Sequence, residues 1–205
     1  VIVIGASGYV GSRLVPFLLQ KGLQVRAASR SLRALQQRPW ADDPCVEIAA
    51  LDVFNREGLR EGLKGCEAAF YFVHSMNPQH KNFAAADRQA AQNMAWAAEE
   101  AGIKRIVYLG GLGEETEALS KHLRSRAEVG NILRGGGIPV TTLRAAMIIG
   151  TGSASFEILR QLVNRLPVMV TPRWVSTQSQ PIAIRNVLHY LAACLELAQA
   201  EGQVY

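Results

Sequence analysis

The stretch that decides the fold is the opening one, Val1-Ile2-Val3-Ile4-Gly5-Ala6-Ser7-Gly8-Tyr9-Val10-Gly11. Its first four residues are apolar and β-branched, which is typical of a strand buried on both faces. Three glycines at GxxGxxG spacing follow. Gly5 permits a tight turn out of the strand, Gly8 lets the backbone approach a pyrophosphate, and Gly11 lets the next helix pack closely on the sheet.

This turn predicts a dinucleotide site. A pyrophosphate is stabilised by the backbone N–H groups at a helix N-terminus, and the Ser7 hydroxyl can add a further donor. The alternative is a glycine turn with only a structural role. The residues that we expect to contact the cofactor here are Gly5, Ser7, Gly8, Tyr9, Val10 and Gly11.

Apolar strands alternate with amphipathic helices along most of the chain. Strands are predicted at residues 1–4, 23–29, 46–50, 68–73, 104–109 and 140–144. Helices are predicted at 9–21, after a cap at Ser31, at 56–63 after a cap at Asn55, and at about 82–101, 119–134, 155–165 and 184–200. This order predicts a Rossmann-type α/β fold, which is a doubly wound parallel sheet with helices on both faces. Its switch point should lie between the first and fourth strands.

Length and composition indicate one globular domain over residues 1–205, since 49% of the residues are hydrophobic and 19% are charged. Residues 151–182 or so should cover the substrate side of the cleft. The chain opens inside a strand, and residues 203–205 look like another strand. We therefore expect a piece of a longer protein, with a possible second domain beyond Tyr205.

Cysteine usage and charge exclude some classes of protein. Cys45, Cys66 and Cys194 are widely spaced, which argues against a disulfide framework and against a zinc site. We expect buried free thiols in a cytoplasmic protein that has no metal. The net charge is +5, but the basic residues are scattered without a nucleic-acid recognition motif. The longest apolar runs are too short for a membrane span.

The end of the second predicted strand favours NADP(H) over NAD(H). NAD-binding proteins place an acidic residue there to bind the adenosine ribose. Here Ala28 is followed by Ser29, Arg30 and Ser31, with no carboxylate. Arg30 is suited to a 2′-phosphate, and Ser29, Ser31 and Arg33 can assist it. The alternative is a solvated arginine at the strand end.

Further contacts are predicted where later strands end, because ligands bind at the carboxyl edge of open α/β sheets. Asp52, with Val53, is placed to meet the adenine amino group, although Asp52 could equally be a turn residue before a helix. His74 could face the nicotinamide or cap a turn. The other candidates at this edge are Tyr71, Val73, Met76, Gly110, Ala145, Ala146 and Met147, while Tyr108 is expected in the core. Met169 and Trp174 are candidate lid residues.

The glycine turn, the Ser29-Arg30-Ser31 segment, Leu51-Asp52-Val53 and residues 105–112 together resemble atypical short-chain dehydrogenase/reductases. These are NAD(P)H-binding relatives of the extended sugar epimerases and the NmrA-like proteins. The resemblance covers essentially the whole chain. Residues 71–76 and 167–174 resemble one bacterial subgroup whose members often continue into a second domain.

The chain departs from that family at its reaction centre. The resemblance implies a Tyr-x-x-x-Lys pair, in which the tyrosine exchanges a proton with the substrate and the lysine binds the nicotinamide ribose. His122 and Arg126 stand at these positions, four residues apart on one helical face. Gly110 and Gly111 stand where the family places a catalytic serine.

Three interpretations of this departure stay open. His122 is a general acid and Arg126 holds the ribose and a cofactor oxygen; or the site binds NADP(H) without turnover; or both residues belong to a solvated helix face. The leading hypothesis is an NADP(H)-dependent oxidoreductase for a small or apolar carbonyl, enone or quinone-like substrate. Its alternative is a non-catalytic redox sensor or assembly factor, and the missing tyrosine and serine argue against a sugar-nucleotide epimerase.

Overall fold

A parallel sheet lies at the centre of the computed structural model, which describes residues 1–74, 83–112, 120–165 and 179–205. In these ranges six strands pair in the order β3-β2-β1-β4-β5-β6. The strands are β1 Ile2–Ile4, β2 Val25–Ser29, β3 Val46–Ala50, β4 Ala68–Tyr71, β5 Arg105–Gly111 and β6 Val140–Ala145. The predicted order is confirmed, with its switch point between β1 and β4.

Helices cover both faces of this sheet. They are α1 Gly11–Gln20, α2 Leu32–Gln36, α3 Arg56–Leu63, α4 Phe83–Glu100, α5 Lys121–Arg134, α6 Ala154–Arg165 and α7 Ile184–Glu196. Neighbouring residues of β1 face opposite ways, so that Ile2 and Ile4 pack with α3, α4 and α5, while Val3 packs with α1 and α7. The side chains of both faces are fully buried at these positions, as expected for a parallel sheet.

The end of the chain differs from its predicted single helix over residues 184–200. Helix α7 stops at Glu196, because Leu197 adopts an extended conformation, and a 3-10 turn follows at Ala198–Ala200. The Oγ1 atom of Thr141 donates a hydrogen bond of 2.7 Å to the carbonyl of Ala200. This contact holds the turn against β6. A helix that continued to residue 200 would carry Ala200 away from that strand.

The last residues extend the sheet, as predicted for residues 203–205. The amide of Thr142 donates to the carbonyl of Gln203 over 2.8 Å, and the amide of Tyr205 donates to the carbonyl of Thr142 over 2.9 Å. This segment therefore runs parallel to β6. A second sheet of two short strands, β7 Ile148–Ile149 and β8 Ile182–Ala183, was not predicted, since two residues carry no readable periodicity.

Within the ranges that the structure describes, no helix combines the length and the apolar character that crossing a membrane requires. The three cysteines are free thiols, with Cys66 and Cys194 buried and Cys45 exposed. The expectation of buried free thiols is thus confirmed for Cys66 and Cys194 and is wrong for Cys45, which lies at the surface in the turn before β3.

Truncating the core under α1 should destabilise the fold. Leu14 is fully buried, so Leu14→Ala should lower the free energy of unfolding by about 2–5 kcal/mol. Leu162→Ala is the matched control, because Leu162 lies on α6 with 45% of its surface exposed, and it should change stability by less than about 0.5 kcal/mol. Urea titration measures both. Equal losses in the two variants would contradict this account of the core.

Candidate functional site

The glycine turn joins β1 to α1 through a compact set of backbone contacts. Gly5 has a φ of +93°, which L side chains rarely adopt. Its amide and that of Ala6 both donate to the carbonyl of Ala28, over 2.9 and 3.0 Å. A side chain at Gly11 would place its Cβ 2.9 Å from the Cα of Ala6. Only glycine therefore lets α1 start this close to the strand.

The first turn of α1 presents unpaired backbone donors. The amide of Gly8 donates to the carbonyl of Gly5 over 3.0 Å. No described residue accepts a hydrogen bond from the four amides of Ser7, Tyr9, Val10 and Gly11, and Val10 provides no side-chain cap. A helix N-terminus with free N–H groups attracts anions, and a phosphate group is the common biological example.

The end of β2 turns tightly next to this helix start. The Ser29 hydroxyl donates to the carbonyl of Ser31 over 3.0 Å and accepts from its amide. The Ser31 hydroxyl caps α2 by accepting from the amide of Ala34. Both hydroxyls thus have a structural role. Arg30 and Arg33 are exposed, and neither guanidinium contacts an acceptor in the described part of the chain.

Arg38 is a basic residue at this place that the sequence reasoning missed. It is half-buried, and its guanidinium donates to the carbonyl of Ser7 over 2.6 Å. The segment is held there by Trp40, whose indole N–H donates to the carbonyl of Ser12 over 3.0 Å. A basic residue two positions before a tryptophan, just after a short helix, is the only sequence signal for this contact.

Asp52 forms the turn after β3, which was one of its two predicted roles. Its Oδ1 accepts from the amide of Phe54 over 3.0 Å, and its side chain is exposed. The carbonyl of Val53 accepts from the Nδ2 of Asn93 over 2.9 Å, which holds this turn against α4. Contact of Asp52 or Val53 with an adenine stays a prediction.

At the carboxyl edge of β4, the side chains of Val73 and His74 are half-buried. Burial, followed by the positive charge of Arg126, lowers the pKa of His74 to about 3. The imidazole of His74 is therefore neutral at physiological pH, and it can donate or accept a hydrogen bond there but does not supply a proton from a charged form. Ser75, Met76, Met169 and Trp174 lie outside the described residues.

Helix α5 brings His122 and Arg126 to the same edge. His122 is exposed and its ring stacks on that of Phe83, with 4.9 Å between the ring centroids. Arg126 is half-buried beside β5, where a Cβ at Gly111 would lie 3.3 Å from the Arg126 Cδ. The buried Tyr108 donates its hydroxyl to the carbonyl of Arg126 over 3.0 Å, so it belongs to the core as expected.

The sequence reasoning also missed a buried polar pair between α4 and α5. The hydroxyl of Ser125 donates to the Oδ2 of Asp87 over 3.0 Å, and both residues are more than 90% buried. The negative charge of Asp87 acts on His74 in the direction opposite to that of Arg126. The one sequence signal that could have indicated this pair is the presence of an aspartate, Asp87, within the alanine-rich helix α4.

On the far side of β5, the strand β6 ends at Ala145, whose carbonyl accepts from the amide of Leu112 over 3.0 Å. The carboxyl edge of the sheet includes Gly110, Ala145 and Ala146, as the sheet order predicted. Their contact with a nicotinamide stays a prediction. No group of three or more metal-ligating side chains lies within the described ranges.

Comparison with known proteins identifies relatives of this fold. The chain is 27% identical to cinnamoyl-CoA reductase 1 of Petunia hybrida over 121 residues, which are 55% of this chain and 35% of that enzyme. It is 32% identical over 109 residues to a dihydroquinoline-oxide ketoreductase of Stigmatella aurantiaca, covering 52% of this chain and 32% of that one. The chain thus matches about a third of the length of these curated relatives.

Solved structures confirm the architecture. Triphenylmethane reductase of Citrobacter sp., in complex with NADP(H), superposes with a TM-score of 0.79 at 21% identity, covering all of this chain and 68% of that enzyme. The sequence also matches the NAD(P)H-binding family over residues 5–164. This chain therefore belongs to the NAD(P)H-binding family and is an atypical short-chain dehydrogenase/reductase built on a Rossmann domain.

Proposed function

We propose that this protein is an NADP(H)-dependent oxidoreductase that reduces a small or apolar carbonyl, enone or quinone-like compound. The observation that carries the proposal is the row of unpaired amides at the start of α1. At the same carboxyl edge of the sheet, Arg126 and His122 both lie close enough to His74 to influence its pKa. The site binds a nicotinamide cofactor at one end and offers proton-carrying groups at the other.

The glycine turn fits the pyrophosphate of such a cofactor. The amides of Ser7, Tyr9, Val10 and Gly11 are donors without acceptors in the described chain, and the positive end of the α1 dipole adds to their attraction for phosphate. Arg38 holds the carbonyl of Ser7, which fixes the orientation of this loop. The adenosine end of the cofactor then lies toward the end of β2.

The preference for NADP(H) rests on charge at that end. Arg30 and Arg33 are exposed cations whose side chains have no partner in the described residues, and Arg38 adds a third close to the turn. A guanidinium binds a phosphate through two parallel hydrogen bonds, whereas the ribose of NAD(H) calls for an acceptor. The residues from Ala28 to Ser31 include no acceptor carboxylate.

When bound, NADP(H) would supply hydride chemistry at the electrophilic carbon of the substrate, and the substrate oxygen would then need a proton from the protein. We assign that proton to the imidazole of His122, which is exposed and can be reprotonated from solvent. Arg126, half-buried beside Gly111, orients the cofactor ribose. His74 stays neutral and shapes the site by hydrogen bonding.

The substrate class that we propose is drawn from the printed names of the relatives. The printed names of two of them describe a cinnamoyl-CoA reductase and a ketoreductase of a quinoline oxide, and a solved neighbour reduces triphenylmethane dyes. All three names describe reduction of molecules that contain a conjugated or aromatic system. We extend that class to this protein, with the compound itself left to a substrate panel.

Replacing Gly8 tests the cofactor site. Gly8 has no strained φ, but a Cβ there would lie only 3.2 Å from the carbonyl oxygen of Gly5, so circular dichroism and thermal unfolding first establish that Gly8→Val folds. Its branched side chain should occupy the approach of the pyrophosphate and abolish NADPH binding measured by fluorescence titration. Gly135→Val, at the exposed end of α5, is the matched control and should bind normally. Unchanged binding by a folded Gly8→Val would refute the site.

Removing Arg30 tests the choice of cofactor. Arg30→Ala should weaken NADPH binding by about 1.5–3 kcal/mol, roughly 10- to 150-fold, because charge-assisted hydrogen bonds to the 2′-phosphate are lost. NADH binding should hardly change. Arg185→Ala, an exposed arginine on α7, should leave both affinities alone. Equal weakening of the two cofactors would show that Arg30 does not select between them.

Substituting the α5 pair separates an enzyme from a sensor. His122→Phe should keep NADPH affinity but lower turnover about 10²–10⁴-fold, because a positioned acid is lost. Arg126→Ala should weaken cofactor binding as well as turnover. The measurement is NADPH oxidation with a panel of carbonyls, enones and quinones.

Two outcomes of that panel would count against the assignment. Full turnover by His122→Phe would remove His122 from the reaction. If the unmodified protein binds NADPH and consumes none with any compound, the non-catalytic sensor or assembly factor becomes the better account.

A further inference from the structure

A small cavity of about 60 Å³ lies between α5 and the edge of the sheet formed by β5, β6 and residues 203–205. Three arginines line it, namely Arg126, Arg134 and Arg144. Among the described residues that line the cavity there is no carboxylate. The cavity is thus a place where positive charge gathers without a counter-charge from its own walls.

One of the residues that line the cavity carries a buried hydroxyl without a partner in the described chain. Thr142 lines it with only 4% of the residue exposed, and no described residue hydrogen-bonds to its Oγ1. The Thr142 backbone is fully engaged, because its amide and carbonyl bind residues 203–205. Buried hydroxyl groups in native proteins nearly always have a protein, water or ligand partner.

The arginines are free to bind an anion. Arg134 is oriented by a hydrogen bond to the Oδ1 of Asn131, which leaves other guanidinium N–H groups available. Arg126 and Arg144 form no ion pair within the described chain. Arg134 and Arg144 are also exposed, so solvent and small ions can reach them.

The size of the cavity suits one small polyatomic anion. A buried water needs about 10–15 Å³ of such volume, so 60 Å³ has room for roughly four to six water-sized positions. A phosphate or sulfate ion has five heavy atoms. Guanidinium groups match the oxygens of such ions in geometry and in charge, and the Thr142 hydroxyl can donate one further hydrogen bond.

We propose that this cavity binds a tetrahedral oxyanion of the phosphate or sulfate class, with Thr142 as a hydroxyl donor and Arg134 and Arg144 as the entering cations. The glycine turn proposed for the cofactor pyrophosphate does not line this cavity, whereas Arg126, which we assign to the cofactor ribose, lies at its wall; Arg126 is therefore not counted among the anion ligands. The bound ion would link α5 to β6 and residues 203–205. It would therefore stabilise the packing of α5, the helix that carries His122 and Arg126, against this edge of the sheet.

Thermal unfolding of the full chain with inorganic phosphate as the probe tests this site. Titrations with phosphate, chloride and acetate are compared at equal ionic strength and in saturating NADPH, so that the proposed phosphate site at the start of α1 is already occupied. Phosphate should raise the unfolding temperature in a saturable way, because a ligand bound only to the folded state stabilises it by mass action. Chloride and acetate should give only a small, non-saturating change. Identical curves for the three salts would overturn the proposal, and a saturable effect of acetate alone would overturn the tetrahedral class.

Two substitutions locate the effect. Thr142→Val removes the hydroxyl at nearly constant volume, and Arg134→Gln removes one charge at an exposed position. Both should lose the saturable phosphate response and keep NADPH affinity, whereas the control Arg185→Gln should retain both. If Thr142→Val and Arg134→Gln respond to phosphate like the unmodified chain, the cavity does not bind the anion. Because NADPH affinity is followed in parallel, failure of the cofactor assignment would show separately.

Discussion

The close approach of α1 to the end of β1 is the contact on which the rest of the site depends. A side chain at Gly11 would collide with the Cα of Ala6, and the φ of Gly5 is one that L residues rarely adopt. Because these positions are glycine, the helix begins directly behind the strand, and the amides at its start have no acceptor in the described chain. The anion binding that we propose for them would thus follow from how the fold closes.

The parallel sheet brings the other candidate site residues to the same edge as the glycine turn. Since all its strands run in one direction, their carboxyl ends meet at one edge, where β1, β2, β4 and β5 deliver their following residues. The basic residues after β2 and the cationic α5 lie at the two ends of that edge. His74 lies between them, and burial with the charge of Arg126 keeps it neutral, with a pKa of about 3.

Much of this could be predicted from sequence, because the signals were local. Strand β3 and helix α3 begin and end at the predicted residues, since branched strand residues and the Asn55 cap act within a few positions. The contacts of Arg38 with Ser7 and of Ser125 with Asp87 could not be predicted. They join residues more than thirty positions apart, and only the packed structure brings these together. The two-residue strands β7 and β8 were too short for any pattern, and the stacking of His122 on Phe83 likewise needs α4 and α5 in place.

The central claim is that the free amides at the start of α1 bind the pyrophosphate of a nicotinamide dinucleotide. Backbone amide NMR during an NADPH titration measures this most directly, because each amide of the turn reports separately. The account predicts that the largest shifts belong to Ser7, Tyr9, Val10 and Gly11, with Arg30 and Arg38 responding to NADPH more than to NADH. Shifts that spare the turn and gather elsewhere in the domain would contradict it.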